Sequence, residues 1–189
     1  MNLIERVKRI LLSPRTEWEI IAAEPTTTAE LYKSYIAPLA AIGPIAQFIG
    51  FSVFGKSVVG ATYRVPFSSG LISSILTFAM TLAATYVLAL IIDALAPTFN
   101  GQRNQMQALK VAAYSSTASW VAGIFALIPF LSILTILGLY SVYLLYLGLP
   151  ALMKAPRDRA LVYTGVVILA AIVLFMVVAI VGSLFLGMP

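Results

Sequence analysis

Asp93 is the one carboxylate set inside an apolar run, VLALIIDALAP, and it is the first residue in this sequence that could do chemistry. A carboxylate at membrane depth is costly unless paired or hydrated, so it marks a candidate ion or proton path. The alternative is structural: Asp93 at the end of a span, clamped to Lys110 or Arg103 across a short turn. A second polar feature is the band Tyr114, Ser115, Ser116, Thr117 and Ser119. Small hydroxyl residues let helices approach closely and hydrogen-bond across their interface, or they line a polar path. Gln47 is the expected partner of this band from another span. Tyr140, Tyr143 and Tyr146 recur at every third residue, which spreads them over roughly a third of a helix face. They form either a core stripe, a cavity wall, or a row of hydroxyls turned toward the band.

Other chemistry is excluded by residue type. The chain has no cysteine and no histidine. That removes disulfides, thiolate catalysis, imidazole ligation of zinc or haem, and the base that most hydrolytic sites use. Nothing resembles a phosphate-cradling glycine loop, a metal cluster or a catalytic dyad, so no cofactor is expected. Glu5, Glu17, Glu19, Glu24 and Glu30 alternate with bases and read as a solvated interfacial face.

The elements that must position these residues are membrane helices. Of 189 residues, 61% are apolar and 10% charged, far from the roughly 25% charged of a soluble domain. From Tyr114 to Pro156 the single charge is Lys154. That stretch is too long for one crossing of a hydrocarbon layer about 30 Å thick. It predicts a hairpin turning at Ile128, Pro129 and Phe130, since proline removes a donor and breaks a helix. The spacing predicts five spans in all: 35–54, 70–95, 106–128, 131–153 and 161–186. Gly43 and Pro44 predict a kink in the first. Gly138, Gly148 and Gly165 are candidates for close helix approach. The predicted fold is therefore an all-α polytopic bundle, with residues 1–30 an interfacial segment and 31–189 the transmembrane domain.

Ahead of the spans, Leu3, Ile4, Val7, Ile10 and Leu11 fall at helical spacing, with Glu5, Arg6, Lys8 and Arg9 opposite. That is an amphipathic helix, able to lie on anionic lipid or to pack on the protein. Residues 1–12 do not read as a signal peptide, because these charges interrupt any apolar core. Ser13 and Pro14 start a second short helix carrying Trp18, Ile20, Ile21 and Ala22, and Thr28 can cap the next.

Charge sets the expected orientation. With the N-terminus inside, cytoplasmic segments hold Arg6, Lys8, Arg9, Arg15, Lys33, Arg103, Lys110, Lys154, Arg157 and Arg159, and outer segments only Lys56 and Arg64. This asymmetry predicts a cytoplasmic N-terminus and an outer C-terminus. It also explains the net charge of +5 without nucleic acid.

The run AYSSTASW, then IPFLSILTILGLYSVYLLYLGLPALMKAPRDRALVYT, resembles the bacterial branch of the Yip family of Ypt/Rab-interacting membrane proteins. The N-terminal RILLSPRTEWEIIAAEPTT and LYKSYIAPLAAIGPIAQFIG are similar to the same branch. The resemblance implies a five-span helical bundle in the bacterial inner membrane with a cytoplasmic N-terminus. Eukaryotic relatives are associated with Rab GTPases and vesicle traffic. Their third-span pattern of glycine and tyrosine, followed after three residues by proline, is here Ala113, Tyr114 and Ala118. Their cytosolic DLYGP stretch has no equivalent ahead of the first span; DALAP at 93–97 lies after the second. Both departures argue against a GTPase partner.

Together these readings describe a non-enzymatic membrane protein that organises its bilayer or binds a partner. The fifth span is apolar all round, which suits a homo-oligomer. The alternative is a small transporter or channel whose path is lined by Asp93, Tyr114, Gln47 and the tyrosines of the fourth span.

Overall fold

The computed structural model describes residues 2–58 and 61–186. Two short helices come first. Helix α1 (Leu3–Leu12) begins at Asn2, whose side chain accepts from the Ile4 amide at 3.1 Å. Helix α2 (Pro14–Ala23) begins with proline where a missing donor costs nothing. Ser13 lies between them, as its type predicts, but its side chain makes no capping bond.

The first span (Thr28–Phe54) is not a uniform helix. Thr27, not Thr28, caps it by accepting from the Glu30 amide at 3.2 Å. Tyr32–Ile36 and Gly50–Phe54 wind as π turns, and the helix is interrupted at Ala41, just ahead of Gly43 and Pro44. The interruption falls where proline removes a donor. Two short antiparallel strands (Lys56–Val58 and Ala61–Tyr63) then pair with Lys56 opposite Tyr63. The second span runs Phe67–Phe99, α-helical to Leu95 and then a 3-10 turn, and ends at Asn100 in the left-handed conformation (φ 57°). The fourth span (Phe130–Met153) opens as 3-10 and becomes α-helical at Tyr140. The last helix is Arg157–Leu186.

The third segment departs from expectation. Instead of one span over 106–128 it is two helices, Gln105–Ser115 and Thr117–Ala122, followed by a 3-10 stretch Gly123–Leu127. Among the described residues four helices, not five, are long and apolar enough to cross a membrane. The break has a local cause. The Ser116 hydroxyl donates to Ala112 O at 2.8 Å and that of Thr117 to Tyr114 O at 2.7 Å. Such bonds compete for the carbonyls the helix would use.

This broken segment is the centre of the bundle. Ala108, Leu109, Val111, Ala112 and Ala113 are all at most 1% exposed. The second and fourth spans pack on it from different sides and the last helix packs on both of them. The fourth span returns antiparallel after Ile128, which is extended (φ −116°) and forms the expected turn. Ser119 fixes the pairing: its hydroxyl donates to Gly138 O at 3.0 Å and its amide to the Ser141 hydroxyl at 3.0 Å.

Two of the three candidate glycines sit at close approaches. A Cβ on Gly148 would meet the Trp18 ring at 2.7 Å, and one on Gly138 would lie 3.1 Å from Ser119 Cα. Gly165 meets nothing within 4 Å, so it marks no contact. The outer surface is apolar: Phe130, Ile133, Ile136, Leu161, Leu169 and Phe175 are all exposed. A water-soluble monomer rarely shows so large a continuous apolar surface.

Candidate functional site

Glu5, Glu19 and Glu30 are exposed, as expected of a solvated face, but not all the charged residues of the first helices lie on it. Arg6 and Glu17 are buried, 5% and 2% exposed. Arg6 Nη1 donates to Glu17 Oε1 at 2.6 Å, and Nη2 donates to Glu24 Oε2. One guanidinium thus joins α1 to both ends of α2. Its planar fork suits this task, because each carboxylate meets its own N–H groups. The sequence carries the signal: Leu3, Arg6 and Ile10 share one helix face, as do Glu17, Ile21 and Glu24.

Lys110 completes the cluster from the third segment. It is buried, 3% exposed, and is not paired with Asp93 or placed as a clamp across the turn. Its ammonium donates instead to Ile21 O at 2.8 Å and Glu24 O at 2.5 Å. Those carbonyls close the C-terminal end of α2, where orphan acceptors and the helix dipole both favour a cation. Gln107 adds a bond from Nε2 to Ala22 O at 3.0 Å. Two cations and two carboxylates therefore fasten α1 and α2 across one end of the bundle.

An aromatic layer lies below. The Tyr114 ring packs against Tyr35 (centroids 4.4 Å apart), meets Trp18 edge-on at 6.2 Å, and has the Arg6 guanidinium 5.8 Å from its centre. Cations over such faces are attracted by the ring quadrupole. Tyr35 and the fully buried Thr117 share a hydroxyl–hydroxyl bond of 2.7 Å between the first span and the third segment. A cavity of about 160 Å³ opens beside the cluster, lined among others by Arg6, Glu24, Glu30, Tyr35, Lys110 and Tyr114.

The structure therefore brings together Lys110, Tyr114 and Thr117 of the expected residues, and adds Arg6, Glu17, Trp18, Glu24 and Tyr35. Ser115 is buried nearby and donates locally to Ala112 O at 3.4 Å. Gln47 is exposed and lies outside the cluster. The tyrosines of the fourth span do not face the polar band. Tyr140 and Tyr143 are more than one third exposed, and the Tyr140 hydroxyl reaches Leu11 O at 3.1 Å. Tyr146 lines a different cleft, against α2.

Asp93 stands apart. Its Oδ1 is buried without a hydrogen-bond partner, and no salt bridge joins it to Lys110 or Arg103. It lines neither of these two cavities. Its neighbour Ile92 has its carbonyl taken by the Tyr163 hydroxyl at 2.5 Å, and Tyr163 stacks on Phe99 at 4.7 Å. Among the described residues no three histidine, cysteine or acidic side chains are grouped as metal ligands.

A family model described as Yip1 domain matches residues 8–180 of the chain. No curated protein and no solved structure matches it.

Proposed function

The chain belongs to the Yip1 domain family, and from that membership we propose that it is a non-enzymatic scaffold of the bacterial inner membrane that presents a folded N-terminal platform to a partner or to lipid. One observation carries the reading: Arg6, Glu17, Glu24 and Lys110 spend their charge on one another and on the carbonyls of α2. Breaking a buried ion pair costs about 3–5 kcal/mol. Helices held this way are a rigid surface, with Lys8, Arg9 and Arg15 left outward for an anionic leaflet.

In this reading the chain crosses five times. The broken third segment spans 105–127 and pairs along its length with the fourth span, and small alanines let it sit at the centre. The N-terminus is cytoplasmic and the C-terminus lies on the other side, following the charge asymmetry. The exposed apolar face of the last helix, with Leu169, Ile172, Val173 and Met176, serves contact with lipid or a second copy. Cross-linking in native membranes that gave monomers alone would remove the second copy.

The orphan Asp93 oxygen is what favours the rival reading, a small transporter. Flux of protons and cations into proteoliposomes separates the two. The scaffold reading expects no flux above empty vesicles from either the natural chain or Asp93→Asn. Flux that the natural chain supports and the variant loses would replace the scaffold with a transporter.

A further inference from the structure

A second cavity, of about 950 Å³, lies between α2, the end of the fourth span and the start of the last helix. Its walls hold three cations, Arg15, Lys154 and Arg157, against the single carboxylate Glu19. Among the described residues none of these three cations makes an ion pair or a side-chain hydrogen bond. That contrasts with Arg6, which pairs with two carboxylates, and Lys110, which donates to two carbonyls. Trp18 is also part of the wall, 1% exposed, and its indole N–H has no acceptor. Buried donors ordinarily find partners. This one belongs to a residue that shares the cleft wall with the three unpaired cations.

Position and shape narrow the class of ligand. Lys154 follows the last residue of the fourth span and Arg157 opens the next, so the cationic rim stands where hydrocarbon gives way to headgroups. The wall then continues down the fourth span through Ala151, Pro150 and Leu147. From Lys154 to Leu147 is about 10 Å at the α-helical rise, long enough to receive the first carbons of an acyl chain. The cavity falls within the roughly 300–1,000 Å³ of small-ligand sites. Basic pockets between helices at this depth suit phosphate-bearing headgroups.

We propose that this cleft binds one anionic phospholipid, its phosphate held by Arg15, Lys154 and Arg157 and its proximal acyl carbons against Leu147, Pro150 and Ala151. Bound there, the lipid tethers α2 to the last two spans, a contact the protein itself makes without charged bonds. The proposal does not rest on the scaffold reading, since a transporter could hold the same lipid.

The test is lipid binding to delipidated, detergent-solubilised full-length protein by native mass spectrometry. Phosphatidylglycerol, phosphatidylcholine and inorganic phosphate are added separately. Phosphatidylglycerol is expected to bind at one saturable site, with phosphatidylcholine and phosphate much weaker. The triple variant Arg15→Gln, Lys154→Gln, Arg157→Gln should bind it on the order of 100-fold more weakly, if each cation contributes as basic residues near an anionic leaflet do. The control Lys33→Gln, Arg103→Gln, Arg159→Gln removes the same charge outside the cleft and should bind as the natural chain does. Arg15→Gln alone, on the exposed face of α2, gives a partial loss and carries the test if the triple variant does not fold. Equal weakening in the control, equal binding of phosphatidylcholine, or phosphate binding as tightly as lipid would each overturn the proposal.

Discussion

Arg6 shows how far one residue can change a reading of the chain. Placed by charge alone, it belongs with Lys8 and Arg9 on a wet face; placed by spacing, it shares a face with Leu3 and Ile10. The structure takes the second option because Glu17 and Glu24 come from α2 to meet it. These partners are eleven and eighteen residues away, beyond the reach of helical periodicity, so the pairing could not be read locally. The two carboxylates should not be equivalent. The Glu17 side chain is 2% exposed and that of Glu24 42%. Glu17→Gln leaves a buried cation short of its counter-ion and is expected to cost about 3 kcal/mol. Glu24→Gln should cost about 1 kcal/mol or less, since solvent screens that partner. Thermal unfolding of both variants in the same detergent checks the order; equal losses would mean that burial does not set the strength of the clamp. At this scale Lys110, Tyr114 and Thr117 were legible as important, but their partners were not. Gln47 and the fourth-span tyrosines misled because a polar group in an apolar run marks an interface without saying which face it occupies.

Among the elements, hydropathy located the apolar stretches well and their continuity badly. The hairpin turn at Ile128 and the interruption ahead of Gly43 were both readable, since proline acts through the backbone. The break at Ser116 was not, because serine and threonine are tolerated in helices and disrupt them only when their hydroxyls take backbone carbonyls, as here. The first span and the third segment then meet almost backbone to backbone. A Cβ on Gly123 would lie 3.0 Å from Gly43 Cα, whereas one on Gly43 would meet nothing within 4 Å. The two glycines should therefore respond differently to the same change. Gly123→Ala is expected to destabilise the bundle by about 1–3 kcal/mol, as overpacking does, and Gly43→Ala by a few tenths at most. Thermal midpoints of the pair decide it; matched losses would show that the contact is looser than the structure has it.

Over the whole molecule, charge and architecture point the same way. The structure gathers α1, α2, the end of the second span and the turn after the fourth at one end, where Gln102 N donates to Met153 O at 2.7 Å. The other end holds the strands and Arg64. Reporter fusions at Asn100, Pro156 and the loop near Arg64 should place the first two in the cytoplasm and the third outside; any other pattern would overturn the five-crossing topology. Residues 3–24 form a fixed part of the bundle, held by Arg6 and Lys110, and amide hydrogen exchange in detergent or nanodiscs reads that out along the chain. Slow exchange is expected through Val7–Ile10 and Trp18–Ala23 in the natural chain. Fast exchange is expected there, with the spans still protected, in Arg6→Met and Lys110→Met. Residues 3–23 exchanging freely in the natural chain, or unchanged in both variants, would contradict it.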